Sequence, residues 1–290
     1  MLVVVLVDGK NKTQKKIKLL SSTYCLFAIR NTVTPAGRSS FRVPQSAFHI
    51  FCPAFSVSLG NRQTNAMVGM IVAVNAEALI INEIYQSVQG ESTWAGLPCV
   101  FVRLTFCDLR CTYCDTAYAF YKGEKTSLSK IVAQVLAYKC PLVEITGGEP
   151  LLQKNVLPLM RELCDHGLTV LIETSGAHDI SRIDPRVHRI MDLKTPSSGE
   201  SQRNRLENIP HLNRGDEVKF VLGSREDYLW AKAQIQTYNL AERCGTILFS
   251  PVFGKIEPRS IVEWLLADKL PVRFQLQLHK FIWAPETKGV

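Results

Sequence analysis

The sequence predicts an α/β fold: an open or partial (β/α) barrel whose parallel sheet carries helices on its outside. Three observations predict it. From residue 71, short β-branched apolar runs alternate with longer stretches of helical period. Glycines and polar residues gather directly after those runs, where parallel-sheet folds place their chemistry. The composition, 46% hydrophobic and 21% charged over 290 residues, supplies a large core and excludes disordered and fibrous classes.

In chain order, Ala78–Tyr85 and Pro98–Thr105 read as strands. Ser127–Lys139 has helical spacing with Ser127 as its cap. Leu142–Thr146 is a strand ending at Gly147-Gly148, and Leu151–His166 is a helix closed by Gly167. Leu168–Glu173, Arg189–Lys194, Val218–Leu222 and Thr246–Ser250 are further strands. Arg225–Tyr238 and Pro258–Ala267 are the helices between the later ones, and Phe274–Trp283 reads as a final strand. There is no internal repeat.

Charge divides the chain. The net charge of +8 is carried entirely by residues 1–70, which hold five Lys, four Arg and one acid, Asp8. The rest is balanced, so the basic excess does not mark a nucleic-acid-binding body. Residues 1–70 lack a clear period and are broken by Pro35, Pro44 and Pro53. The composition resembles an organelle-targeting segment, but a disordered extension or translation upstream of the true start is favoured, because Met67 and Met70 stand just before the ordered pattern. Residues 71–290 form the core domain on this reading. No apolar run is long enough to span a membrane, and scattered cysteines without an export signal place the protein in a reducing cytoplasm.

Of nine cysteines, three cluster as Cys107-x3-Cys111-x2-Cys114, directly after the strand Pro98–Thr105. Zinc wants four ligands, and no Cys or His nearby supplies the fourth. A [4Fe–4S] cluster held by three cysteines keeps one iron open, as inner-sphere chemistry on a small molecule requires. Gly147-Gly148-Glu149-Pro150 ends the next strand, where glycines allow close backbone approach to a ligand and Glu149 can accept from a cationic amine. Glu173-Thr-Ser-Gly176, Asp192-Leu-Lys-Thr-Pro196 and Ser250-Pro251 end later strands.

The cysteine spacing and this motif order resemble the radical S-adenosylmethionine superfamily. Further segments are Ile81–Ser92 (INEIYQSVQGES), Gly96–Leu104, Cys114-Asp-Thr116 and His279–Pro285. With these, residues 80–290 closely resemble the 7-carboxy-7-deazaguanine synthase family. The resemblance implies a [4Fe–4S] cluster on Cys107, Cys111 and Cys114, and S-adenosyl-L-methionine held by Tyr113, Gly148, Glu149, Glu173, Ser175, Lys194 and Ser250. It implies Mg²⁺ on Thr116, with Asp115 structural. The implied reaction contracts the ring of 6-carboxy-5,6,7,8-tetrahydropterin to 7-carboxy-7-deazaguanine with loss of ammonia, in queuosine biosynthesis. No catalytic side chain is implied beyond the cluster and the cofactor radical. A flavodoxin- or ferredoxin-like reductant and a homodimer are implied partners.

The residues suit that substrate. A pterin offers an amidine-like N–H edge that a carboxylate binds twice, so Glu91 is the candidate, with Gln89 beside it. The substrate carboxylate wants a planar cation, which Arg103 supplies, and His279 adds a donor from the final strand. Some family members end near the equivalent of Pro285, whereas Glu286–Val290 follow it here. A glycyl-radical activase shares the cysteine spacing but needs no pterin-edge Glu, and an Fe–S carrier saturates its cluster with four protein ligands.

Overall fold

A computed structural model describes residues 77–290 and two strands nearer the start, β1 (Leu2–Leu6) and β2 (Lys15–Leu19), which pair antiparallel with Leu2 opposite Leu19. The chain divides into two units, residues 1–76 and 77–290. Apart from those two strands, the extension expected over residues 1–70 lies outside the described residues.

The second unit is built on one nine-stranded sheet. Its strands are β3 (Ala78–Val88), β4 (Pro98–Leu104), β5 (Glu124–Ser127), β6 (Leu142–Gly147), β7 (Thr169–Thr174), β8 (His188–Asp192), β9 (Glu217–Leu222), β10 (Thr246–Pro251) and β11 (Arg273–Phe274). The order across the sheet is β5-β3-β4-β6-β7-β8-β9-β10-β11. From β4 to β11 all neighbours run parallel. β3 departs from the parallel sheet that the sequence predicts. It pairs antiparallel with both β4 and β5, with Tyr85 opposite Phe101 and Leu79 opposite Thr126. The link from β3 to β4 is too short for a crossover, so the chain can only fold back on itself. β5 and β11 do not pair, so the barrel stays open.

Helices α1 (Leu128–Ala137), α2 (Val156–Asp165), α3 (Arg225–Thr237), α4 (Leu240–Arg243) and α5 (Pro258–Asp268) cover the sheet. Ser127 caps α1, accepting from the Lys130 amide at 3.4 Å. Gly167 closes α2 with φ of +79°, a left-handed conformation that costs glycine little. α2 starts later than its apolar period suggests, because Pro150–Leu152 first form a 3-10 turn. The links from β7 to β8 and from β8 to β9 carry no α-helix; 3-10 turns take their place after β8. Val102, Ile145, Ile172 and Phe220 of the sheet are fully buried with Ile131, Leu159, Tyr228 and Ile261 of the helices. Among the described residues no helix is long and apolar enough to cross a membrane.

The final strand expected over Phe274–Trp283 is corrected. Only Arg273–Phe274 pair with β10, and His279–Ile282 form a short helix, α6. The alternation in Phe274–Leu278 is real, yet Leu276 and Leu278 are exposed. The segment turns away to bind the link between β3 and β4: the Ser92 amide donates to Gln275 Oε1 at 2.6 Å and the Leu278 amide to the Gly90 carbonyl at 2.9 Å.

Candidate active site

The carboxyl ends of β4 and β6–β10 face one cavity of about 710 Å³, within the range of small-molecule sites. The cysteine loop follows β4 and contributes Cys107, Cys111 and Cys114 to its lining. The thiols are unbridged. Burial pushes all three above the ordinary thiol value, Cys111 to about 11. Among the described residues no three of His, Cys, Asp and Glu converge closely enough to chelate a single ion. Three thiols leave a tetrahedral mononuclear metal one ligand short, whereas a polynuclear cluster lets each thiol take a separate iron. In that role they would be thiolates, and the Lys194 ammonium beside Cys111 favours that form.

The two glycines after β6 brace this loop. The Gly148 amide donates to the Leu104 carbonyl at 3.1 Å and the Glu149 amide to the Phe106 carbonyl at 2.7 Å. Gly147 sits at φ of +140°, and a Cβ there would collide with the Leu104 backbone. A Cβ on Gly148 would strike the Phe106 carbonyl. Glycine is thus required so that the turn can lie directly on the cysteine loop.

Glu149 is fully buried and does not line the cavity. Its carboxylate accepts from the Leu151 amide (3.0 Å), the Thr174 hydroxyl (2.8 Å) and the Ser175 amide and hydroxyl (2.7 and 2.6 Å). It thereby ties the end of β6 to the end of β7. Ser250 is also buried behind the wall, and the residues after it, Pro251 to Phe253, reach the cavity instead. The other sequence-predicted residues all line the cavity: Gln89, Glu91, Arg103, Tyr113, Thr116, Gly148, Glu173, Ser175, Lys194 and His279. Burial pushes the Tyr113 phenol up to about 12.

Glu91 stands in a network that its motif did not reveal. Lys219 Nζ donates to Glu91 Oε2 at 2.8 Å, and Gln277 Nε2 to Oε1 at 2.9 Å. Burial alone would raise the Glu91 carboxyl, but the Lys219 ammonium and these hydrogen bonds together hold it below the ordinary value. Gln89 is buried; its Oε1 accepts from the Glu91 amide at 2.7 Å and its Nε2 donates to Glu144. Burial, with Glu173 and Glu91 nearby, pushes the Glu144 carboxyl well above its ordinary value. Gly90 has no room for a Cβ, because the His279 ring and backbone lie against it. Burial lowers the His279 imidazole despite Glu91, leaving a neutral ring with one donor and one acceptor.

Arg103 is an ion-pair partner as well as a cavity residue. Its Nε meets Glu83 Oε1 at 2.8 Å and its Nη2 donates to the Tyr85 hydroxyl at 2.8 Å, which fixes the guanidinium plane and leaves further N–H donors. Thr116 donates its hydroxyl proton to Asp115 Oδ1 at 2.9 Å, keeping its lone pairs. Asp115 is held by Lys280 at 2.7 Å and Gln277 at 3.1 Å, consistent with a structural part. Asp192 is buried; its Oδ2 pairs with Lys194 at 2.8 Å while its Oδ1 has no hydrogen-bond partner. A buried acceptor of this kind suits a ligand that brings a donor. The segment Pro285–Val290 also lines the cavity, with Lys288 Nζ 4.3 Å from the centre of the Tyr118 ring.

Lys219, Glu144, Asp192 and Gln277 were not among the candidates from the sequence. A signal existed for two of them. Glu144 in Leu-Val-Glu-Ile-Thr and Lys219 in Val-Lys-Phe-Val are charges inside strands otherwise buried on both faces.

Comparison with known proteins agrees with this geometry. The radical SAM superfamily model matches residues 101–194, which span the cysteine loop and the ends of β6 to β8. The 7-carboxy-7-deazaguanine synthase of Chlorobaculum tepidum is 50% identical over 215 residues, covering 73% of this chain and 97% of that protein. The one from Koribacter versatilis is 45% identical over 224 residues, covering 72% and 99%. The crystal structure of QueE from Escherichia coli superposes with a TM-score of 0.60 at 25% identity, covering 70% of this chain and 95% of that one. The thiol loop, the glycine turn braced on it and the likeness over nearly the full length of such relatives converge: the chain belongs to the 7-carboxy-7-deazaguanine synthase family of the radical SAM superfamily.

Proposed function

We infer that the chain is a lyase that converts 6-carboxy-5,6,7,8-tetrahydropterin to 7-carboxy-7-deazaguanine with release of ammonia, a step toward queuosine. One observation carries the geometric case: an ionised, half-buried carboxylate, Glu91, shares a cavity with the three thiols. The superfamily uses a [4Fe–4S] cluster and S-adenosyl-L-methionine, which together supply a carbon-centred radical able to remove hydrogen from an unactivated carbon.

The chain's own residues bind, orient and enclose. Glu91 takes the pterin N–H edge; Lys219 and Gln277 fix both of its oxygens while leaving lone pairs for the substrate. Arg103 presents its remaining N–H donors to the substrate carboxylate, aligned by Glu83 and Tyr85. Neutral His279 adds one donor and one acceptor beside Glu91. Tyr113, the Gly148 backbone, Glu173, Ser175, Lys194 and the free Asp192 oxygen form the cofactor end. Glu149 and Ser250 act from behind that wall. Thr116 offers a hard hydroxyl oxygen to Mg²⁺, which takes few protein ligands and completes its shell with water and substrate. The reductant is a small flavodoxin- or ferredoxin-like protein, and the enzyme works as a homodimer.

The test is anaerobic. The protein is reconstituted with iron and sulfide, then given adenosylmethionine, Mg²⁺, a reductant and 6-carboxytetrahydropterin, with products read by mass spectrometry. The expected product is 7-carboxy-7-deazaguanine. Formation of 5′-deoxyadenosine and methionine alone would leave the radical chemistry standing and overturn the substrate.

A further inference from the structure

Lys219 lies in mid-strand on β9, opposite Asp192 of β8, and is 4% exposed. Its ammonium donates to Glu91 Oε2 at 2.8 Å and to Glu173 Oε1, and stands 3.9 Å from Asp192 Oδ2. Two carboxylates thus accept hydrogen bonds from one ammonium, and a third lies within ion-pair distance of it. Asp192 has a second cation in Lys194. Among the described residues, Lys219 is the one cation within ion-pair distance of Glu91 and of Glu173.

We propose that Lys219 is a positioning residue that fixes Glu91, at the pterin end, and Glu173, at the cofactor end, relative to each other, and so couples substrate binding to radical formation. The proposal rests on the function inferred above. Removing the ammonium leaves two half-buried carboxylates without a counter-charge, next to the buried carboxyl of Glu144. The two carboxylates then repel each other, with nothing to hold their oxygens in the orientation that the ammonium sets. Glu91 and Glu173 would then no longer present the pair of acceptors that the two ligands meet. The burden on Lys219 is geometric as well as electrostatic. A guanidinium keeps the charge, but its planar fork cannot aim donors in three directions.

Lys219→Met keeps the length and removes the charge. On cluster-loaded protein, calorimetry with 6-carboxypterin should show binding about 10- to 100-fold weaker, as loss of a partner that orients a binding group produces. Under turnover, 5′-deoxyadenosine formed per product should rise while iron content stays at the wild-type level. Lys219→Arg should recover part of the binding. Wild-type affinity and wild-type coupling in Lys219→Met would overturn the proposal, as would a lower Tm with unchanged affinity in the folded, loaded fraction. If Lys219→Met does not fold, Glu173→Gln decides. Glu173 is placed at the cofactor end, so through Lys219 its substitution should change 6-carboxypterin affinity in the absence of adenosylmethionine, and the change should vanish in a Glu91→Gln background; unchanged affinity in Glu173→Gln sinks the idea. Failure of the wild-type protein itself to bind 6-carboxypterin would instead overturn the functional reading.

Discussion

Glu91→Gln isolates the charge at the pterin end with little change in shape. The carboxylate has two acceptor oxygens, each already oriented by a protein donor: Lys219 at 2.8 Å and Gln277 at 2.9 Å. The amide keeps one acceptor and replaces the other with an NH₂. Its oxygen will stay with the Lys219 ammonium, and Gln277 can turn its own amide to accept from the new NH₂, giving up its bond to Asp115, which Lys280 still holds. The fold therefore survives, and the cysteine loop is untouched. The substrate, however, loses one charge-assisted acceptor and meets a donor where its own donor points. Hydrogen bonds to a charged group contribute about 1.5–3 kcal/mol net, so the expected loss is about 2–3 kcal/mol, roughly 30- to 150-fold in Kd. The assay is calorimetry of 6-carboxypterin on wild type and variant, with iron content and uncoupled adenosylmethionine cleavage as controls. Because Lys219 holds the wild-type carboxyl below its ordinary 4.5, it stays ionised from pH 5 to 8 and adds no pH dependence there. A Kd within twofold of wild type would refute the assignment of Glu91 to the pterin edge.

Cys111→Ala should abolish cluster assembly, seen as loss of bound iron and of visible absorbance; full iron content would remove Cys111 from the ligand set. Gly90→Ala drives a methyl into the His279 ring. An overpacking cost of about 1–3 kcal/mol should lower the Tm by about 2–4 °C per kcal/mol and weaken pterin binding, with the cluster intact. An unchanged Tm would show that α6 gives way freely. Hydrogen bonds from Arg186 come first in holding Asp184 at about 2, against an ordinary 3.8. A depressed carboxyl contributes stability above its unfolded value and loses it as pH falls through the folded one. The Tm gap between wild type and Asp184→Asn should therefore be full above about pH 4 and close near pH 2; a constant gap would exclude that ion pair as its cause.

The strands of the parallel run were legible because each is a short apolar stretch ended by glycine or a polar residue. The thiol loop was legible because its spacing is local in sequence. What escaped depended on register. Lys219 can be matched with Glu91 and Glu173 only when β9 is known to lie beside β8, and nothing local encodes that. Glu149 lay in a readable motif, but its four donors come from residues up to 26 positions away, so its withdrawal behind the wall could not be read. The final strand failed for a related reason. Alternation at Phe274–Leu278 reports a two-faced segment, not the partner it faces, and here one face meets the Gln89–Ser92 turn rather than another strand.

That docking of Gln275–His279 onto Gln89–Ser92 sets an order in time. The two segments are about 190 residues apart in sequence; the Ser92–Gln275 bond alone spans 183 positions and the Gln277–Glu91 bond 186. The glycine turn and the thiol loop are about 40 residues apart and can meet as soon as β6 has formed beside β4. Long loops close late, and chains emerge from the ribosome N-terminal end first. The thiol loop, its glycine brace and the later turn at Ser197–Glu200 that also holds it all leave the ribosome before the segment that clamps Glu91. The pterin end is therefore the last part of the site that synthesis can complete.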